Sequence, residues 1–247
     1  MSVRRKLFTG AAAAVVVAGV GVLLAQREYK SGIEFPEPPV VTPAPVDKPG
    51  APPSDAVVLF DGKKATLEAN FKNGDKWEVD EANGWATVKG GSVESKEKFG
   101  DIQLHVEFAT PEKVDPKQTG QGRGNSGVYL QDRYEVQVLD SFGLNGENNE
   151  CGGIYTQHKP SVNMCLPPMA WQTYDIEFTP AAFDAAGKKT KNGRATILHN
   201  GVKIHDDIEF PKDCPGGQPE KADPGPFRLQ DHGDPVIFRN AWVLPVK

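Results

Sequence analysis

From Asp55 onward, apolar and polar residues alternate in short runs, and this period of two is what most constrains the fold. Over residues 102–108 the apolar side chains fall on even positions, while Gln103, His105 and Glu107 fall on odd ones. Such alternation is typical of an antiparallel strand with one buried face, because successive side chains of a strand point to opposite sides. No segment has a long helical period. We therefore expect an all-β domain.

Further runs of the same kind are separated by Gly, Asn, Asp and Pro, which favour turns. The strongest hairpin signal is Asn200-Gly201, which lies between two alternating runs. Many short strands without intervening helices predict a β-sandwich or jelly roll. We expect His105, His199 and His205 to be outward-facing strand residues rather than metal ligands. The other predicted strands cover residues 57–60, 85–88, 174–178, 195–199, 202–205 and 236–243.

The N-terminal residues differ in composition from this domain. Arg4, Arg5 and Lys6 precede an apolar run, in the order of the basic and hydrophobic regions of an export signal. Counted from Leu7, the apolar stretch has 19 residues, a length that could also span a bilayer. Two alternatives stay open for residues 1–27, a cleaved signal peptide and a retained membrane anchor. Both predict a periplasmic or extracellular protein, anchored to the inner membrane in the second case.

Residues 28–54 form a proline-rich segment, which favours an extended linker over a helix or a strand ladder. The folded domain is therefore predicted to cover residues 55–247. Residues 1–27 carry four positive side chains and no acid, so with a net charge of −5 for the chain the remainder carries −9. This balance argues against nucleic acid as a partner.

Three cysteines in an exported chain suggest one disulfide and one remaining thiol. Cys151 and Cys165 bracket a short segment that contains two glycines and Pro160. Their pairing would close a small surface loop and stabilise the fold by about 3 kcal/mol. Cys214 would then be free. A zinc site is poorly supported, because neither CxxC nor HxxxH spacing occurs.

The residues best suited to catalysis or ligand binding lie in the segment 124–140. Tyr134, Val136 and Val138 share one face of a predicted strand, and Glu135 and Gln137 share the other. A carboxylate on the polar face of a central strand needs a wet cleft or a charged partner. We therefore predict that Glu135 is a base or a metal ligand. A salt bridge to a cross-strand Arg or Lys is the alternative.

Several blocks of residues along the domain together resemble the 3-keto-disaccharide hydrolase domain family. The resemblance covers the chain from Leu59 to Trp242. It implies a concanavalin A-like jelly-roll β-sandwich of two antiparallel sheets, and a carbohydrate substrate that has been oxidised at carbon 3. The blocks are Asn125-Ser126-Gly127-Val128, residues 134–140, Trp171-Gln172, Asn200-Gly201, residues 229–233 and Phe238-Arg239-Asn240.

The reaction that this resemblance implies needs few catalytic groups. A 3-keto group acidifies the hydrogen on carbon 2, so one base can drive loss of the glycosidic oxygen. Ordinary glycosidases use two carboxylates, about 5–5.5 or 6.5–9.5 Å apart. Two positions after Glu135, however, stands Gln137, which is not an acid. The resemblance therefore favours base-assisted elimination or hydrolysis of 3-keto-glycosides or 3-keto-disaccharides. A non-catalytic carbohydrate-binding module and a surface interaction domain are the alternatives.

Roles for individual residues follow from this resemblance. His232 could carry a proton, and Asp231 could either orient it or cap a turn. Arg239 could polarise the keto oxygen or pair with Glu135. Aromatic rings, Tyr129 among them, could stack on a sugar ring. The predicted catalytic residues are Glu135, His232 and Asp231, and the predicted substrate-binding residues are Gln137, Gln230, Arg239, Tyr155 and Trp171.

Two smaller expectations concern loops. Asn125 and Ser126 are expected to fix the turn into the following strand. The segment 146–150 is rich in oxygen ligands that could bind calcium, but without EF-hand spacing it is better interpreted as an exposed loop. The sequence specifies no cofactor with certainty and leaves a divalent metal open.

Overall fold

The computed structural model describes residues 39–42, 48–112 and 117–246. The predicted signal or anchor at residues 1–27 lies outside the described residues. No helix within the described part of the chain has both the length and the apolar character needed to cross a membrane. The elements described are the strands β1 (Val57–Phe60), β2 (Phe71–Lys72), β3 (Glu78–Asp80), β4 (Trp85–Thr87), β5 (Val93–Phe99), β6 (Ile102–Ala109), β7 (Ser126–Leu130), β8 (Tyr134–Val138), β9 (Gln172–Thr179), β10 (Ala182–Phe183), β11 (Lys189–Lys191), β12 (Gly193–His199), β13 (Val202–Phe210), β14 (Gly225–Leu229) and β15 (Ile237–Pro245), with the helix α1 (Lys64–Asn70) and the 3-10 turns Gly74–Lys76 and Gly120–Gly122.

Two antiparallel sheets form the body of the molecule. The large sheet has the strand order β13-β12-β9-β6-β15-β4-β3, with β1 also paired to β15. The small sheet has the order β2-β5-β14-β7-β8. The inward rows of both sheets share one hydrophobic core, in which Val106 and Phe238 of the large sheet join Val136 and Leu229 of the small sheet. The predicted concanavalin A-like jelly-roll sandwich is confirmed.

The predicted hairpin at Asn200-Gly201 is also confirmed. The turn joins β12 to β13, and His199 pairs with Val202 across it. Asn200 and Gly201 have φ angles of 52° and 77°. Positive φ at both central residues is the requirement of the tight turn that matches strand twist, and Asn and Gly meet it at low cost.

Three strands of the small sheet, β2, β5 and β14, were not predicted. β5 carries four charged residues, and β14 contains Pro226, so neither has a clear apolar alternation. In the structure Pro226 pairs with Lys98 of β5, whereas β7 pairs with β14 only at Arg228 and Leu229. Pro226 thus lies beyond the ladder between β14 and β7, where its missing N–H costs no ladder bond.

The prediction that the strand histidines are outward-facing surface residues was wrong for His199 and His205, which are buried. His105 does lie on the outer face of the large sheet, beside Glu107, but neighbouring side chains cover it there. His105, His199 and His205 are 9%, 1% and 4% exposed. His199 continues the buried row of Ala195 and Ile197. Nε2 of His205 lies 2.7 Å from the carbonyl oxygen of Gly152. Burial lowers the pKa of His199 to about 3 and that of His205 to about 4, so both are neutral at physiological pH.

The predicted disulfide between Cys151 and Cys165 is not formed, and both residues are buried free thiols, as is Cys214. The segment between them does not close a surface loop. Instead both cysteines belong to the hydrophobic core, where Cys151 Sγ lies 3.2 Å from the Tyr174 hydroxyl. Core packing, rather than a covalent link, therefore holds this segment in place.

Part of the proline-rich segment contacts the sandwich. The Val41 N–H donates to the Asn163 carbonyl at 2.9 Å, and the Asn163 N–H donates to the Pro39 carbonyl at 2.9 Å. The Gly50 carbonyl accepts a hydrogen bond from Asn240 Nδ2 at 2.9 Å. At these two points the segment is tied to the domain. The division of the chain at residues 27 and 54 stays a prediction.

Candidate active site

Five of the predicted site residues meet in one cavity on the outer face of the small sheet. Its volume is about 300 Å³, enough for a sugar ring. The cavity lies over the hairpin of β7 and β8, between the loop that precedes β7, the segment before β14 and the loop after it. The lining residues are Gln121, Asn125, Tyr129, Glu135, Gln137, Tyr155, Pro215, Gly216, Gln230 and His232.

The hairpin register sets the position of the Glu135 carboxylate. Tyr129 lies directly opposite Glu135 across the ladder, and Gly127 lies opposite Gln137. A Cβ atom on Gly127 would stand 2.2 Å from Oε1 of Glu135, closer than any allowed contact. The missing side chain of Gly127 therefore creates the space in which the carboxylate lies.

Glu135 is a buried carboxyl group without a close cation. It is 3% exposed, and burial raises its pKa to about 8, although a hydrogen bond from Tyr129 and the charge of Arg228 act in the opposite direction. The guanidinium of Arg228 instead contacts Asp132, with Nε 2.9 Å from Oδ1. Within the described residues no Lys or Arg forms a salt bridge with Glu135, so the salt-bridge alternative was wrong.

Three side-chain amides form one wall of the cavity. Gln137 Nε2 donates to Asn125 Oδ1 at 2.9 Å, and Asn125 Nδ2 donates to Gln121 Oε1 at 3.1 Å. All three side chains are at most 8% exposed. The sequence predicted Gln137 as a substrate-binding residue but assigned Asn125 only to a turn. No sequence pattern indicated a role for Gln121. The expected turn role suits Ser126, whose hydroxyl donates to the Gln230 carbonyl at 2.7 Å.

The loop after β14 brings two further predicted residues to the cavity. His232 is exposed at the rim, and Gln230 donates from Nε2 to the Tyr129 hydroxyl at 3.2 Å. Asp231 does not line the cavity. Its two oxygens accept hydrogen bonds from the N–H groups of Gly91 (2.7 Å) and Gly233 (2.8 Å), which is the turn-capping alternative.

Known proteins share this arrangement of strands and sequence. Residues 55–244 match the family described as the 3-keto-alpha-glucoside-1,2-lyase-like domain. The chain belongs to this family. A crystal structure of a predicted glycosyl hydrolase from Parabacteroides distasonis ATCC 8503 is 34% identical, with a TM-score of 0.72, and the match covers 87% of this chain and 95% of that one. Sequence and fold together make the chain a carbohydrate-active protein of the glycosyl hydrolase type.

A second structure of a predicted glycosyl hydrolase from the same organism is 21% identical, with a TM-score of 0.52, over 77% of this chain and 99% of that one. At that identity the likeness shows the fold alone. No protein of curated function matches the sequence.

In this 3-keto-alpha-glucoside-1,2-lyase-like domain, two predicted substrate-binding residues lie away from the cavity. Arg239 belongs to β15, on the outer face of the large sheet, and its Nε lies 2.6 Å from Oε2 of Glu107. The expected pairing of Arg239 with Glu135 was therefore wrong. The guanidinium carbon of Arg239 is 4.0 Å from the ring centre of Trp171, which holds Trp171 on the same face.

Around Arg239 lies a second polar cluster, which we call the Glu107 network. Glu107 has no exposed surface, and although burial opposes ionisation, hydrogen bonds from His105, Asn240 and Arg239 lower its pKa. Burial likewise disfavours the charged form of His105, but hydrogen bonds to Asp175 and Glu107 raise its pKa to about 9. Most of the charges in this cluster therefore have a partner. The Glu107 network consists of Glu107, His105, Asp175, Arg239 and Asn240.

Ligands for a metal are sparse at the cavity. Glu135 and His232 are its lining residues of the types that most often ligate metals, and nowhere in the described chain do three or more His, Cys, Asp or Glu residues group around one point. A divalent metal stays a prediction. In the segment considered for calcium, Glu150 Oε2 accepts from the N–H groups of Gly146 and Glu147 at 2.7 and 3.0 Å. The residues of that segment are half-buried or buried, so the expectation of an exposed loop was wrong.

Proposed function

We propose that this protein is an exported enzyme that cleaves the glycosidic bonds of 3-keto-glycosides or 3-keto-disaccharides by base-assisted elimination, with water added afterwards. One observation carries the proposal, the placement of Glu135. It is the single carboxylate among the described lining residues, and its pKa of about 8 suits a base at neutral to mildly alkaline pH. The family match supports the same substrate class.

The proposed reaction follows from the acidity next to a ketone. Glu135 takes the proton from carbon 2, and the electron pair of that bond forms the double bond between carbons 1 and 2. The bond from carbon 1 to the glycosidic oxygen breaks, and the leaving oxygen receives a proton, for which His232 at the rim is the proposed donor. Addition of water across the new double bond then gives the products of net hydrolysis.

The remaining wall of the cavity suits a neutral sugar. The amides of Gln121, Asn125 and Gln137 can exchange hydrogen bonds with hydroxyl groups, and Tyr155 offers a ring edge or face. A two-carboxylate mechanism would need a second acid about 5–9.5 Å from the first. In this cavity an amide, Gln137, occupies the neighbouring outward position of the same strand. This arrangement supports elimination over direct hydrolysis.

The decisive experiment compares oxidised and unoxidised substrates with the full chain. We expect release of free sugar from 3-keto-trehalose or a 3-keto-glucoside, with or without added divalent metal, and none from trehalose. Deuterium at carbon 2 of the keto substrate should slow the reaction, because that bond breaks in the proposed step. Binding of the keto substrate without turnover would instead identify a carbohydrate-binding module, and cleavage of trehalose would indicate a conventional glycosidase.

Export is a separate part of the proposal, supported by the basic residues Arg4, Arg5 and Lys6 ahead of the apolar run. Fractionation of cells that express the full chain should place the protein in the periplasm or medium if residues 1–27 are removed, and in the inner membrane if they are retained. Recovery in the cytoplasm alone would contradict export.

A further inference from the structure

Tyr129 lines the cavity but is poorly placed to stack on a sugar. Its ring is fully buried, and the guanidinium carbon of Arg228 lies 3.6 Å from the ring centre. Gly216 packs against the phenol oxygen, where an added Cβ would approach to 3.2 Å. What Tyr129 presents to the cavity is therefore its hydroxyl group.

The partners of that hydroxyl fix the direction of its proton. Gln230 Nε2 donates to the phenol oxygen at 3.2 Å, so the hydroxyl hydrogen must point to an acceptor. Two acceptors are near, the carboxylate of Glu135, which lies opposite Tyr129 across the ladder and lines the same cavity, and the Pro215 carbonyl at 3.5 Å. A hydrogen bond to an ionised carboxylate is roughly twice as strong as one to a neutral carbonyl. When Glu135 is ionised, the hydroxyl of Tyr129 therefore donates to its carboxylate.

We propose that Tyr129 is a positioning residue for the Glu135 base, in which its hydroxyl orients the carboxylate and stabilises the ionised form that accepts the proton. The proposal rests on the function proposed above. The groups that face Glu135 are Tyr129 from β7, Arg228 from β14, Cys214 from the segment after β13, and His232 from the rim. Of these, Tyr129 lies directly opposite Glu135 in the ladder of β7 and β8, and both side chains line the cavity.

The test is Tyr129→Phe in the full chain, which keeps the ring beneath Arg228 and removes only the hydroxyl. Loss of one hydrogen bond to the ionised form should move the acidic limb of the pH–kcat profile upward by about one pH unit. We expect kcat at pH 7 to fall about 10–100-fold, with KM changed by less than about threefold. Tyr134→Phe is the matched control, because its hydroxyl bonds Glu220 at 2.5 Å outside the cavity. The control should leave the limb unmoved.

A second readout separates this inference from the proposed function. With glutamate labelled by ¹³C at the side-chain carboxyl, NMR titration of Glu135 should give a higher pKa in Tyr129→Phe than in the wild type, and an unchanged one in Tyr134→Phe. An unmoved Glu135 titration in Tyr129→Phe overturns the inference, whether or not the wild type turns over substrate. A wild type that does not turn over, with the titration shifted as expected, overturns the proposed function alone.

Discussion

Glu135 and Glu107 occupy equivalent positions on the two sheets and differ in almost everything else. Each carboxylate lies on the outer face of a sheet, and each is at most 3% exposed. Glu107 has Arg239 at 2.6 Å and Asn240 at 2.8 Å, and its pKa is lowered. Glu135 lies opposite Tyr129 and lines a cavity, and its pKa is raised to about 8. Burial alone therefore does not mark a catalytic carboxylate, whereas burial without a paired cation and beside open space does.

The two arrangements have opposite consequences for stability. The ion pair of Glu107 with Arg239 is satisfied inside the fold, so removing one partner leaves the other charge buried and unpaired. Ionised Glu135, by contrast, lacks a cation in contact, and its charge is disfavoured in the folded state. A buried carboxylate of this kind lowers the stability of the fold but keeps its ability to accept a proton.

The largest expected effect comes from a matched pair of substitutions. Glu135→Gln should lower turnover of a 3-keto-glycoside about 10²–10⁴-fold, the range for loss of a general base, without lowering the free energy of unfolding at pH 8. Glu107→Gln should leave turnover within about threefold and lower the free energy of unfolding by about 3–5 kcal/mol. Steady-state kinetics and urea unfolding measure the two quantities. If both variants lose activity to the same extent, the contrast between the two sheets is wrong.

The second prediction concerns the pH dependence of stability. The unfolded Glu135 carboxyl titrates near 4.5 and the folded one near 8, so between these values the folded state binds more protons. The free energy of unfolding should therefore fall as pH rises through this window, by about 3–5 kcal/mol from Glu135. His105, with a pKa of about 9, adds a loss between about pH 6.5 and 9.

Glu135→Gln isolates the first contribution, because the variant keeps His105. We measure the free energy of unfolding of wild type and Glu135→Gln by urea titration from pH 5 to 8. As pH rises, the wild type should lose stability relative to the variant. A constant difference would mean that Glu135 ionises at its ordinary pKa, and the assignment of Glu135 as the base would lose its main support.

The contrast between the two carboxylates also shows how far the sequence can be interpreted. Alternation around Glu135 and Gln137 predicted which face of β8 carries polar groups, since a local period fixes the side of a strand. It could not predict that Arg239 serves Glu107, because β15 lies beside β6 in the large sheet and sheet order is not a local property. The sequence thus left open a pairing between two residues that lie on opposite sheets.

Other errors have similarly physical origins. The buried position of His199 was available from the row of Ala195 and Ile197, but a histidine near a turn suggested a surface site. Gln121 gave no signal, because it lies in a glycine-rich turn whose position depends on packing against Asn125 and the rest of the cavity wall. A loop residue of this kind can be assigned only from the structure.

The third prediction tests the space beside Glu135 without altering the carboxylate. In Gly127→Ala the new methyl group would collide with Oε1, so the carboxylate must move. We expect turnover to fall about 10²-fold, as for a displacement of about 1 Å, and the free energy of unfolding to fall by about 1–3 kcal/mol. Gly100→Ala is the control, since no heavy atom lies within 4 Å of its added Cβ. Full activity in Gly127→Ala would show that the position of the carboxylate is not critical.

The smallest expected effect comes from Arg239→Lys in the Glu107 network. The substitution keeps the positive charge but removes Nε, which bonds Glu107, and the planar group above Trp171. We expect a loss of about 1 kcal/mol in the free energy of unfolding, since the ion pair is weakened rather than deleted. Tryptophan fluorescence should change as Trp171 loses its neighbour, while turnover of the keto substrate stays within about twofold. Arg239 does not line the cavity. If turnover falls further than the loss of folded protein accounts for, the large sheet contributes to the reaction.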